Sequence, residues 1–145
     1  MVARPRTMTA AAPSDSLPGP SPQDDSVNDF ERARADFLLA IQRQDYPFQE
    51  TLAFIDQWFD YTPSAFTNGP VVNGPDQNQG SCKVFALARL LDLDREQTLH
   101  CFGEHYREVL ANPEADNHRN LRQFQGACLD PVAFESFPLR RKGQA

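Results

Sequence analysis

The sequence predicts an α+β fold, with four or five helices packed against a small antiparallel sheet built around a β-hairpin. Two observations carry that expectation. Most of the chain repeats apolar side chains at helical spacings of three and four, in segments parted by cap and turn residues. One stretch, Phe66 to Asn73, alternates instead around Asn68-Gly69, the strongest short-range hairpin signal, since both residues tolerate the positive φ of a tight turn. No strand–helix alternation suggests a nucleotide-binding sheet, and no internal repeat is present.

Residues 1–27 carry five prolines among Ala, Ser and Thr and almost no large apolar side chain. Such a segment buries too little surface to offset its ordering entropy and is expected to be a disordered extension. It lacks the apolar core of a secretory signal; its composition suits a type III export signal, a transit peptide or a plain extension. The folded domain is expected over 28–139. Asn28 with Glu31 reads as a capping box opening a helix to about Arg43, with Phe30, Ala33, Phe37, Leu38 and Ile41 on its apolar face. Pro47 suits the first position of a second helix, which runs to about Phe59 through Phe48, Leu52 and Ile55.

The stretch Tyr61–Phe85 organises the rest. Its hairpin is expected to turn at Asn68-Gly69, and Pro70 confines the returning strand, Val71 to Asn73, to an edge. A polar loop, Gly74 to Gln79, leads to Ser81, a plausible N-cap for an apolar central helix to about Leu91. Asp94 and Gln97 form a further capping box for one helix carrying Leu99, Phe102, Tyr106 and Val109, with Gly103 inside it for close approach of a neighbour. Asn112-Pro113 ends that helix, and a short one follows from His118 to about Gln125. Val132 and Phe134 suit one last strand beside the hairpin, and residues 140–145 read as a basic tail.

The 145-residue chain carries a formal charge of −6, which argues against nucleic acid as a partner. No apolar run approaches the roughly 20 residues that span a bilayer, so no membrane role is expected. Cys82, Cys101 and Cys128 are an odd set without a CxxC pair, which suits a reducing, cytoplasmic setting. Cys101 and His105, four apart on one helix face, could supply two metal ligands, but the sequence offers no second pair, so neither metal nor cofactor is expected. Cys82 is the sharpest chemical candidate. A thiol in a helix first turn beside Lys83 gains thiolate character from the helix dipole, whereas burial opposes it. As a nucleophile it needs a base, and His118 is the candidate.

Tyr61-Thr62-Pro63, Phe66-Thr67-Asn68-Gly69, Asn73, Asn78, Gly80-Ser81-Cys82-Lys83 and Phe85 together resemble the HopJ family. Cys101-Phe102-Gly103, Tyr106-Arg107, Asn112-Pro113, His118, Asn120, Arg122 and Phe124 extend the resemblance, which runs from about Phe37 to Leu139. The family is named after a type III secreted effector of plant-pathogenic bacteria, and the resemblance implies no assigned enzymatic activity. At the matching positions Tyr61, Thr67, Asn68, Asn73, Asn78, Lys83, Tyr106, Arg107, Asn120 and Arg122 form a polar group. These residues suit either ligand binding or hydrogen-bonded staples for the loop. The expectation is a HopJ-like module that binds an unidentified protein or small molecule through its polar loop face. The alternative is a cysteine-dependent hydrolase or transferase using Cys82 with His118.

Overall fold

The chain enters α1 (Pro22–Ala40) and continues through α2 (Phe48–Trp58), β1 (Phe59–Tyr61), β2 (Phe66–Asn68), β3 (Val71–Asn73) and α3 (Gln79–Leu91). It then runs through α4 (Arg95–His100), α5 (Glu104–Ala111), α6 (Arg119–Gly126), β4 (Val132–Phe134) and β5 (Leu139–Arg141). This is an α+β fold, the class the sequence predicts. The computed structural model describes residues 22–126 and 132–143, with side chains from Asp29 onward. Cys128 and the first 21 residues, most of the expected disordered extension, lie outside the described residues. The contacts divide at Ala35–Asp36, inside α1, and the unit that begins at Asp36 carries all later elements.

Several boundaries differ from the sequence reading, each for a local reason. The first helix starts at Pro22 rather than Asn28; proline lacks only an N–H that a first helical position leaves unbonded anyway. The hairpin turn is Gly69-Pro70, one residue later than expected, because Asn68 still pairs with Val71. Gly69 alone takes the positive φ, +58°, and Pro70 supplies the negative φ that follows it in a type II′ turn. α3 begins at Gln79 behind Asn78 in a left-handed conformation (φ +51°), so Ser81 lies inside the helix instead of capping it.

β2 is the centre of a three-stranded antiparallel sheet, with Phe66 opposite both Asn73 and Phe134. Strand alternation turns Phe66 and Asn68 inward and leaves Thr67 partly exposed. A second, two-stranded sheet was not expected: β1 pairs with β5, Phe59 opposite Arg141 and Tyr61 opposite Leu139. Arg140 and Arg141, read from sequence as a tail, are therefore strand residues, and the Arg141 guanidinium sits 5.7 Å from the Trp58 ring centre. α3 is the central helix. Cys82, Val84, Phe85, Ala86, Leu87 and Leu91 are buried on it. Phe85 meets Phe66 at 6.2 Å, Phe102 at 5.7 Å and Phe124 at 5.1 Å between ring centres. Each such buried side chain contributes about 1.5–3 kcal/mol.

The single helix expected from Asp94 to Val109 is broken. The Asp94–Gln97 capping box starts α4 as predicted, but Gly103 turns to φ +57° and α5 begins afresh at Glu104. The break comes from contact with the start of α2. A Cβ on Gly103 would lie 2.4 Å from Phe48 N and 2.8 Å from both Pro47 C and Tyr46 O. The same junction satisfies α2's unpaired first-turn amide, since Phe48 N donates to Glu104 Oε1 at 2.7 Å. That bond is the main cause holding the Glu104 carboxyl below its ordinary pKa. Thr51 Oγ1 donates to Cys101 O at 2.7 Å, and Arg107 Nη1 to Tyr46 O at 2.8 Å. Gly103→Ala combines backbone overlap with left-handed strain, and chemical denaturation should show a loss of roughly 2–4 kcal/mol. A loss below about 0.5 kcal/mol would contradict the close approach.

Candidate functional site

Three asparagines decide where the hairpin and α6 meet. Asn68 (β2), Asn73 (β3) and Asn120 (α6) are all at most 3% exposed. Asn68 Nδ2 donates to Asn120 O at 2.8 Å; Asn73 Nδ2 donates to Asn120 Oδ1 at 3.1 Å. Asn120 Nδ2 returns a bond to Asn73 Oδ1 at 3.0 Å, and Asn78 Nδ2 reaches the same oxygen at 2.7 Å. The polar loop is held by Gln79, whose amide takes Tyr61 Oη as a donor and itself donates to Ser64 O at 3.2 Å and Gln77 O at 2.9 Å.

This arrangement opens a recess of about 190 Å³ between the start of α3 and the α5–α6 corner. Phe48 and Phe102 form its apolar floor, their rings nearly parallel (2°) with centres 6.1 Å apart. Gly80 and Ser81 at the start of α3, with Asn78, line one side; His105, His118, Arg119, Asn120 and Leu121 line the other. The first-turn amides of a helix have no intrahelical acceptor, so this edge of α3 is electropositive. The His105 ring stands edge-on to Phe48 at 4.9 Å and 5.1 Å from the His118 ring. His118 adopts φ +54°, an unusual backbone for a non-glycine residue, just before α6. Its Nε2 lies 3.0 Å from Glu108 Oε1, while Asn117 Nδ2 donates to Glu108 Oε2 at 2.9 Å. Those two bonds hold the Glu108 carboxyl below its ordinary pKa.

The candidates from sequence fall into different places. Asn78, Asn120 and His118 meet at the recess. Asn68 and Asn73 are buried staples, though Asn73 with Thr67 also borders a shallow groove on the sheet. Lys83 stacks its ammonium 4.5 Å from the Tyr61 ring centre. Tyr106 and Arg107 line a separate, open hollow with Tyr46 and His100. Arg122 braces the turn before α6, with Nη2 donating to Asn117 Oδ1 at 2.8 Å and Nε to Asn117 O. Cys82 is fully buried, its thiol turned to Ser64 O at 3.8 Å. Burial pushes that thiol up to about 11, outweighing the pull of the Ser64 contact and Lys83. His118 is engaged with Glu108 and does not bond the thiol. Sequence reasoning missed Phe48, Arg119 and the proximity of His105 to Glu108; the i,i+3 spacing on α5 was the available signal.

The HopJ type III effector protein family matches residues 34–139, from inside α1 to the start of β5. The chain belongs to the HopJ family. A solved structure, "Crystal structure of unknown function protein VPA0580", is similar to this HopJ protein with 40% identity and a TM-score of 0.70. The alignment covers 77% of this chain and 92% of that one. No curated protein matches the chain. The match to the HopJ family spans every residue of the recess, so the site is part of the family domain rather than an addition to it.

Asn120→Ala removes the side-chain oxygen that accepts from Asn73 and Asn68 and the amide that donates to Asn73 Oδ1, while the bond from Asn68 to Asn120 O remains. It should cost this HopJ protein about 2–4 kcal/mol in urea unfolding, whereas Arg119→Ala on the exposed rim should change stability by less than about 0.5 kcal/mol. Equal effects of the two substitutions would count against the network.

Proposed function

We propose that this HopJ protein is a binding module that takes a small molecule with an anionic, acceptor-rich head into the recess at the start of α3. The observation that carries the reading is convergence. The Phe48–Phe102 floor meets Ser81, Asn78, Asn120, His105, His118 and Arg119 in one concavity, the mix of apolar surface and few polar groups that small-ligand sites use. Arg119 and the first-turn amides of α3 favour a carboxylate or phosphate head, and the aromatic floor favours a flat apolar body. The buried Cys82 thiol, turned to Ser64 O, and the engagement of His118 with Glu108 favour this reading over a cysteine-dependent enzyme.

The test is nuclear magnetic resonance of labelled protein against a panel of aromatic carboxylates and aryl phosphates. Shifts should cluster at Gly80, Ser81, His105 and 118–121, and Ser81→Leu, which fills the recess, should abolish them. Arg119→Ala should weaken binding about tenfold, the loss of one charge-assisted contact. Shifts scattered over the surface, or unaffected by Ser81→Leu, would refute the site.

The family's description as a type III effector protein supports a second element of the reading, delivery into a host cell. Residues 1–35 fused to a translocation reporter should be exported by a cell carrying the secretion apparatus and retained by one lacking it. Retention in both would remove this element.

A further inference from the structure

The geometry points to a divalent transition-metal site formed by His105, Glu108 and His118 at the edge of the recess. One ligand atom from each residue lies within 4.8 Å of the others. His105 and Glu108 are three apart on α5 and so share a helix face, while His118 arrives from the turn before α6. Two imidazoles and one carboxylate are a donor set suited to Zn²⁺ and its first-row neighbours, not to Mg²⁺ or Ca²⁺.

Four features go beyond a surface ion pair. Among the described residues, neither ring nitrogen of His105 has a protein hydrogen-bond partner, so a lone pair is open on a half-buried ring packed edge-on against Phe48. The left-handed backbone of His118, uncommon outside glycine, brings its ring against Glu108. Glu108 is braced from behind: Asn117 Nδ2 donates to Oε2, and Arg122 in turn holds Asn117 Oδ1. Such outer bonds are what orient a metal-ligating carboxylate. Finally, both histidines line the recess, so a metal with three protein ligands would keep its open position there. A formed tetrahedral site has ligand atoms about 3.3 Å apart. The exposed Glu108 and partly exposed His118 side chains, at 47% and 25%, have room to turn and close that gap.

The site stands on its own residues, and its probe is the metal alone, so its fate is separate from that of an organic ligand in the recess. The full chain, stripped with chelator, is titrated with Zn²⁺ and Co²⁺ by calorimetry, with visible absorption read for Co²⁺. One ion per chain should bind, and the melting temperature should rise with it. His105→Ala, Glu108→Gln and His118→Asn should each weaken binding at least tenfold; the asparagine keeps a residue tolerant of positive φ at 118. His100→Ala, outside the cluster, should leave binding unchanged. Melting curves of the unliganded variants establish that each is folded, and His105→Gln replaces any His105→Ala protein that is not. No uptake of either ion, or uptake that all three variants retain, would overturn the assignment.

Discussion

The mutual bonding of Asn68, Asn73 and Asn120 is the constraint on which the rest of the structure depends. Short strands of three residues carry little ladder energy by themselves, and an isolated hairpin is marginal in water. Here the inward faces of both hairpin strands end in side-chain amides whose shared partner is Asn120 on α6. In a dry interior an unmet amide is costly, so the network fixes one register of the hairpin against one rotation of the helix. Asn78 joins the same oxygen of Asn73 and thereby sets where α3 begins. Hairpin, central helix and α6 are positioned together by one cluster of neutral groups.

The recess is the by-product of two departures from regular backbone. Gly103 stops α4 and lets the chain re-enter as α5 at an angle set by the backbone of Tyr46–Phe48. Through that break His105 meets Phe48, and Glu108 reaches the turn before α6. His118 makes the second departure, with its positive φ. The surroundings over-determine it through Arg122, Asn117 and Glu108. Although the chain is acidic overall, the wall of the recess joins helix N–H groups, an arginine and two imidazoles. The helix N–H groups and Arg119 thus give this wall an anion-favouring edge within an acidic chain, which matters for a ligand within a few ångströms and is screened beyond about 10 Å.

Cys82 shows how two correct sequence arguments are ranked by burial. The contact with Ser64 O and the neighbouring Lys83 do pull towards thiolate. Full enclosure of the side chain pulls the other way and prevails, leaving a neutral thiol against Ser64 O. The residue packs the start of the central helix. Thr51 and Tyr46 provide a parallel case, for their hydroxyls, buried together, bond each other at 2.8 Å and close onto Cys101 O.

What the sequence determined by itself was local. Apolar spacing named the central helix, the Asp94–Gln97 pair named the start of α4, alternation named the hairpin and its partner strand at Val132–Phe134, and spaced motif residues named the family. These signals act over a few residues, or as a pattern along the chain, so they are legible without folding. Tertiary structure decided the rest. β5 pairs with β1 across some eighty residues, which no local propensity encodes. Gly103 read as a helix position because only the backbone of Tyr46–Phe48, far off in sequence, forbids it a side chain. His105 was weighed with Cys101 because the two lie one turn apart, yet Cys101 is sealed in the core. The partners that matter to His105 are Glu108, on the same helix face, and His118, which reaches it only through a reversal at Asn112–Asn117 and a left-handed residue. Side-chain convergence of that kind depends on where helices cross, and crossing is set by packing rather than by order along the chain.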